Sequence, residues 1–430
     1  MSETLRIGLA GLGTVGVGVL KILNAHDDLL TKRCGRPLQV TAVCARDKSR
    51  NRDVDITGYG WFDDPVALAT SDKVDVVIEV IGGADGPAKA AVEAGLKAGK
   101  HVVTANKALI AHHGTSLAAL AEENGVALAY EAAVAGGIPI IKALREGLAA
   151  NRIHRLYGIL NGTCNYILTR METTGEDFST VLDAAQKLGY AEADPSFDVG
   201  GVDAAHKLAI LAAVAFGMPV DFDSVFIEGI ENVSADDIAY AHELGYRIKL
   251  LGLARLTADG VEQRVHPCMV PIDTPIAAVD DVFNAVVTEG DFAGQSMLDG
   301  RGAGEGPTAS AVLADVMDIA RGLILPAFGV PSSALVDQPK VDISAHQGVH
   351  YLRFSVLDEP GVVAGITTIL AEHNISIDSM IQRARAPGSS VPVVIITHEC
   401  REVDLQSALA QISALDISLA PPHLIRIVRP

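Results

Sequence analysis

The sequence predicts an α/β chain in three folded parts: a parallel-sheet domain over residues 1–130, an α+β domain over 131–330 and a small βαββαβ module over 348–430. Three observations carry this reading. Strand-like apolar runs alternate with helix-like segments as far as residue 130, the pattern of a parallel sheet covered by helices on both faces. Past residue 131 the strict alternation stops. A linker at 331–347, approached through Pro326 and holding Pro331, Ser332, Ser333 and Pro339, then separates the middle part from the last.

The first part opens with the apolar run Leu5–Ala10, closed by glycines, and an amphipathic segment from Val15 to about Asn24. Leu38–Cys44, rich in β-branched residues, reads as the second strand. Val74–Ile81 is another, stopped by Gly82 and Gly83. Gly86-Pro87 opens a helix that Gly99 closes, because proline fits the first helical turn and glycine the end. The strand at His101–Ala105, an alanine-rich helix around 114–124 and a strand at Gly125–Tyr130 follow. The middle part mixes helices with strands such as Ile153–Leu160 and Val261–Val270. In the last part, strands at Val349–Leu357, Ile375–Arg383, Val391–His398 and Ile417–Val428 enclose helices at Gly361–His373 and Leu405–Ala414, an order expected of an autonomous module.

Composition narrows the function. The net charge of −19 leaves no excess of cations to displace phosphate counterions, which argues against a nucleic-acid or anionic-membrane binder. No run of about 18 apolar residues is present to span a bilayer, and the N-terminus reads as a strand and not a signal peptide. Cys34, Cys44, Cys164, Cys268 and Cys400 are odd in number and scattered, so a disulfide scaffold or cysteine zinc site is disfavoured and a reducing cytoplasm is expected. The neighbouring His112 and His113 read as surface residues.

Gly11-Leu12-Gly13-Thr14-Val15-Gly16 follows the first strand and opens a helix. There Gly11 permits a tight turn, Gly13 the approach of a pyrophosphate and Gly16 the packing of helix on strand, with free N–H groups at the helix start for the phosphates. After the second strand, Arg46 suits a 2′-phosphate and favours NADP(H), while the adjacent Asp47 leaves NAD(H) open; Arg46 as a plain loop cation is the alternative. Ligands of open parallel sheets lie beyond strand C-termini, which marks Gly82-Gly83 and Thr104-Ala105-Asn106-Lys107 as well.

The segment from Gly189 to Leu211 sets Glu192, Asp194, Asp198 and Asp203 ahead of Lys207. On a helix from Val202 to about Phe216, Asp203 and Lys207 stand at i and i+4 and meet on one face. Alanines and leucines around Lys207 partly bury its amine; burial lowers its pKa and the acids raise it, which makes a tunable proton carrier. A helix-start salt bridge beside a solvated acidic loop is the plain structural alternative.

On these residues the chain resembles long-form bacterial homoserine dehydrogenases. The resemblance runs through GLGTVG, TANKALI at 104–110, EAAVAGGIPII at 131–141, NGTCNYI at 161–167, the acidic segment and GRGAGEGPTASAVLAD at 300–315. DEPGVVAGITTILAEHNISI at 358–377 resembles an ACT regulatory domain. It implies a Rossmann-type parallel-sheet domain, an α+β catalytic and dimerisation domain whose residues 300–325 pack back on the first, and a ferredoxin-like ACT domain. The activity it implies is NAD(P)-dependent interconversion of L-homoserine and L-aspartate 4-semialdehyde, towards threonine, isoleucine and methionine.

By the same resemblance Lys207 is the acid/base residue supported by Asp203. Glu192 and Asp198 serve the substrate, with Gly162 and Thr163 in its loop. Thr104, Lys107 and Gly302 serve the cofactor, Lys107 bridging to the substrate. Glu131 and the carbonyls of Val134, Gly136 and Ile138 hold a structural Na⁺ or K⁺, a hard cation suited to oxygen ligands. Threonine is the implied effector, at a module–module interface with Asn374, and the turn Asp358–Gly361 offers N–H groups to its carboxylate. A homodimer or homotetramer is expected. Two other readings stay open at this point: a semialdehyde dehydrogenase acting through Cys164, and a non-enzymatic nucleotide or amino-acid sensor.

Overall fold

The structure, a computed structural model, describes residues 3–383 and 388–428. Its first sheet holds β1 (Leu5–Ala10), β2 (Leu38–Cys44), β3 (Gly60–Phe62), β4 (Val76–Glu79), β5 (His101–Thr104) and β6 (Leu128–Ala129) in the order β3-β2-β1-β4-β5-β6, every pairing parallel. The order reverses between β1 and β4, where a crevice opens beyond the strand C-termini. Helices α1 (Thr14–Cys34), α2 (Pro65–Ala69), α3 (Pro87–Lys97) and α4 (Lys107–Glu123) connect these strands. β4 is buried along its whole length, as a central strand covered on both faces must be.

The rest of the chain adds α5 (Ile140–Lys142), β7 (Ile153–Ile159), α6 (Gly162–Thr174), α7 (Phe178–Lys187), α8 (Ser196–Val199), α9 (Val202–Phe216), β8 (Phe226–Ile227), α10 (Ala235–Glu243), β9 (Tyr246–Thr257), β10 (Gly260–Pro271), β11 (Phe283–Gly290), β12 (Gly294–Arg301) and α11 (Glu305–Ala320). The C-terminal part comprises β13 (Gln347–Leu357), α12 (Val362–Glu372), β14 (Ile377–Ile381), β15 (Ser390–Thr397), β16 (Cys400–Arg401), α13 (Glu402–Ser413) and β17 (His423–Ile427). α9, with a continuous buried run from Asp203 to Val214, is the centre of the largest core cluster. α11 returns to the first domain and packs along α1 through Val312 and Val316 against Val19 and Leu20.

Three elements differ from the sequence-based expectation. α1 runs on to Cys34, where Gly35 in the left-handed region closes it; the polar stretch Asn24–Asp28 masked the continuation, and a kink lies at His26. α4 begins at Lys107, capped by the Asn106 side chain on Leu109 N–H, well before residue 114. The last strand is only His423–Ile427, since Pro421 and Pro422 stand before it.

The C-terminal βαββαβ module expected from the sequence is present, and it also meets the middle part edge to edge. Its sheet is continuous with that of the middle part, because β17 pairs in parallel with β10 through Cys268↔Arg426 and Met269↔Ile427. Charged groups cross the same seam. The fully buried Asp237 of α10 accepts from Arg353 Nε (2.6 Å) and Nη2 (2.9 Å) and from the Tyr351 hydroxyl (3.0 Å). Burial pushes the Asp237 carboxyl up, but His423 and Arg353 outweigh it and hold its pKa well below the usual carboxylate range.

A depressed folded pKa stabilises the fold above the unfolded value and loses that effect as pH falls through the folded one. Asp237→Asn is therefore expected to cost about 3 kcal/mol at neutral pH, and the gap to wild type should narrow as the medium becomes acidic. Urea denaturation over a pH series measures both.

Candidate active site

At the glycine turn, a Cβ on Gly11 (φ +112°) would lie 2.6 Å from Val80 O, and one on Gly16 would lie 2.0 Å from Gly11 O. Both positions exclude a side chain, and Gly13 leaves open space. Gly13 caps α1 with no side-chain hydrogen bond, so the N–H groups of Thr14, Val15 and Gly16 in the first turn point to a ligand position. Arg46 lies exposed past the end of β2. Asp47 accepts from Ser49 N (2.8 Å) and Oγ (2.6 Å), which holds its carboxylate in its own turn. Arg52, which sequence reasoning missed, donates to Leu12 O (3.3 Å) and Asp47 O (2.7 Å) and so ties that loop to the glycine turn.

Beneath the turn, the fully buried Glu79 gathers the strand ends: it accepts from Ile81 N (2.7 Å), Gly82 N (3.1 Å) and Thr104 Oγ1 (2.6 Å). Thr104 also accepts from Asn106 N (2.9 Å), so its hydroxyl is committed to the fold. Nothing in the sequence marked Glu79 as a hub.

Lys107, the first residue of α4, leans out of this network towards α9. Its ammonium lies 2.5 Å from Asp203 Oδ1, and Lys207 lies 2.7 Å from Asp203 Oδ2. Lys207 also donates to Leu160 O (2.7 Å). Burial lowers the Lys207 pKa more than Asp203 raises it. For Asp203 the balance is the reverse: burial pushes it up, but the two ammonium groups outweigh burial and keep it ionised. Asn161 completes the cluster, with Nδ2 donating to Asp198 Oδ1 (2.8 Å) and Asp203 Oδ2 (2.7 Å) while its Oδ1 caps α6 at Cys164 N (2.8 Å). Asp198 is raised, by burial first and by Asp203 second.

These groups line a cleft of about 680 Å³ with Gly162, Thr163, Glu192, Asn284 and Gly302. Glu192 is exposed on the loop before α8. Thr163 Oγ1 donates to Tyr190 O (2.9 Å), and a Cβ on Gly162 would come within 2.7 Å of Val282 O. Gly302 leads into the uncapped start of α11, whose Glu305 pairs with Lys21 of α1 (2.9 Å). α11 thus ties the Gly302 side of the cleft to α1, the helix that the glycine turn opens. Asn284, another residue the sequence did not mark, is 1% exposed and its Oδ1 has no hydrogen-bond partner among the described residues. An open glycine turn, two uncapped helix starts and this orphaned acceptor fit a dinucleotide.

Cys164 does not behave as a nucleophile. It is fully buried, donates to Asp198 O (3.2 Å), and burial with Asp198 raises its pKa well above the usual thiol value. The positive helix start favours a thiolate, but desolvation wins. His206 faces His112 and Phe222 and is pushed down to about 4 by burial. His113, half-buried at the surface, meets the exposed Asp85 at 3.0 Å.

Glu131 is buried and accepts from Ile141 N and Lys142 N (2.9 Å each) at the start of α5. Burial and Asp315 push its pKa up to about 7. Ala135 and Gly136, with φ of 54° and 52°, turn the chain between Val134 and Ile138, and Gly136 abuts Gly302 O. Both carboxylate oxygens of Glu131 are thus taken by backbone N–H groups, and Asp315 beside it is paired with Lys142 (3.3 Å). In the C-terminal part Gly361 (φ +95°) starts α12 beside Asp358, whereas Asn374 (φ +56°) follows the end of the same helix. At about 1.5 Å per residue, the length of α12 keeps the two ends apart within one chain.

A Rossmann-type sheet, a cleft holding a buried lysine–aspartate pair and an appended regulatory fold together define a nucleotide-dependent oxidoreductase. The family model "Homoserine dehydrogenase" matches residues 139–317, its "NAD binding domain" residues 11–131, and "ACT domain" residues 350–416. A homoserine dehydrogenase of Pseudomonas aeruginosa is 45% identical over 99% of both chains. The crystal structure of a homoserine dehydrogenase from Thiobacillus denitrificans superposes with a TM-score of 0.94 at 44% identity, over 99% of this chain and 98% of that one. A hyperthermophilic archaeal homoserine dehydrogenase in complex with NADPH, 27% identical, covers 74% of this chain and 97% of its own at a TM-score of 0.61. The chain belongs to the homoserine dehydrogenase family. No helix among the described residues is long and apolar enough to cross a membrane.

Asn161→Ala removes a helix cap and two donors to buried carboxylates. It is expected to cost about 1–3 kcal/mol of stability, measured by urea unfolding at neutral pH.

Proposed function

We propose that the protein interconverts L-homoserine and L-aspartate 4-semialdehyde, with NADP(H) preferred and NAD(H) accepted. The observation that carries the reading is the Lys207 ammonium, buried against Asp203 in a cleft that Lys107 of the nucleotide-binding domain also lines. A bound nicotinamide supplies hydride to the aldehyde carbon or takes it from the alcohol carbon. Lys207 gives its proton to the substrate oxygen in reduction and recovers it in oxidation. Asp203 stays ionised and fixes the amine, while Lys107 adds positive charge on the cofactor side. Glu192 and Asp198 meet the substrate ammonium and orient the reacting carbon. Exposed Arg46, with Asp47 held in its own turn, supports the NADP(H) preference.

Lys207→Ala is expected to retain nucleotide affinity and lose roughly 100-fold or more in kcat; near-normal turnover would refute the role. Because Lys207 must be protonated to donate, reduction should slow as pH rises through its lowered pKa, and oxidation should quicken. Initial rates in both directions over a pH series check the sign.

Further parts of the reading rest on other observations. Glu131 with the Val134, Gly136 and Ile138 carbonyls would hold Na⁺ or K⁺ as a structural ion. Exposed Phe292 and Leu323–Leu325 supply apolar surface for a homodimer or homotetramer in the cytoplasm. Threonine would inhibit through the C-terminal part, its carboxylate on the Asp358–Gly361 turn of one copy and its remainder near Asn374 of another. Gly361→Val, which strains the left-handed turn that presents those N–H groups, is then expected to raise the threonine concentration that halves the rate by about tenfold, and unchanged inhibition in steady-state assays counts against that site.

A further inference from the structure

We propose that the seam between β10 and the C-terminal part binds a small oxyanion, a carboxylate or a phosphate, at a site built on Arg264. A cavity of about 160 Å³ opens there and is lined by Arg155, Arg255, Arg264 and Arg426 with Glu262 and Glu399. A second cavity, of about 310 Å³, shares Glu262, Arg264 and His346 with the first. The site shares no lining residue with the active-site cleft, and the Asp358–Gly361 turn lies past the far end of β13 from His346–Val349.

The four guanidinium groups are not equally compensated. Arg426 is held by Glu402 (2.6 Å) and Glu228 (2.9 Å), and Arg155 by Glu289 (3.3 Å). Arg255 and Arg264, by contrast, share the single carboxylate of Glu262, at 3.1 and 3.2 Å. Arg264 is only 9% exposed, and its Nε is buried without a hydrogen-bond partner among the described residues. Its remaining contact, His346 Nδ1 at 2.5 Å, brings a lone pair and no charge, because burial and Arg264 push that imidazole down to about 2. A buried cation with half a counter-charge and an idle donor is costly unless something completes it. An oxyanion in the cavity supplies both the charge and acceptors arranged for a planar guanidinium.

Occupancy there is mechanically connected to the active site. β10 pairs with β8 through Arg264↔Phe226 and Val265↔Ile227. Gly201, which starts α9, packs against Ile227 and Val265. The next residues of the β8 segment hold both sides: Glu228 binds Arg426, and Ile230 N donates to Val199 O (2.9 Å). The anion therefore sits on the strand pair that seats the helix of Asp203 and Lys207.

The test is thermal unfolding and calorimetric titration of the full-length protein with inorganic phosphate and, in a separate arm, malonate, at ionic strength matched with sodium chloride. A saturable rise in Tm with at least one anion and not with chloride is expected, and the arm that responds names the source chemistry. Arg264→Gln and the milder Arg255→Gln should each weaken it about tenfold or more, so the result stands if Arg264→Gln fails to fold. Absence of a saturable response, or a response unchanged in Arg255→Gln, overturns the proposal. So does a response that survives both seam variants and disappears in Lys107→Met, which would place the anion in the active-site cleft.

Discussion

The carboxylate of Asp203 is the point on which this molecule turns. Its two oxygens meet Lys107 from the first domain, Lys207 one helical turn along α9, and the Asn161 amide at the end of β7. The Lys107 ammonium on the cleft side and the buried Lys207 ammonium both approach the acid between them, so Asp203 offsets the repulsion of the two cations. Burying the Asp203–Lys207 pair is itself expensive, and the cost is tolerable because each of the two has short contacts. One side chain thus holds together the nucleotide-binding sheet, the mixed sheet and the helix that carries the amine.

The site is also a case of opposing effects decided by magnitude. Cys164 and Lys207 are both buried near the start of a helix and both lie close to acids. For the thiol, desolvation and carboxylates act in the same direction and suppress ionisation. For the amine they oppose each other, which leaves its proton exchangeable. That difference, not residue type alone, sets the two groups apart: the thiol is held protonated, whereas the amine is pulled both ways.

Much of this was legible in the sequence because it is local. The spacing of Asp203 and Lys207 follows from helical geometry, and the roles of Gly11 and Gly16 follow from the lack of a Cβ. What was hidden is non-local. Asn161 reads as a helix cap, and nothing in its neighbourhood announces acids 37 and 42 residues away. Glu79 reads as one acid in an apolar strand, and Asn284 as one polar residue in another. The edge contact of the C-terminal module was hidden for the same reason: β17 has the pattern of any short strand, and its parallel pairing with β10 leaves no mark in either segment.

That pairing has a cost for any shortened form of the chain. β10 is buried along almost its whole length, and β17 closes one side of it. A molecule clipped before residue 423 would bare the backbone of β13 from Val349 to Arg353 and of β10 at Cys268–Met269, an open strand edge of the kind on which strands of other molecules add.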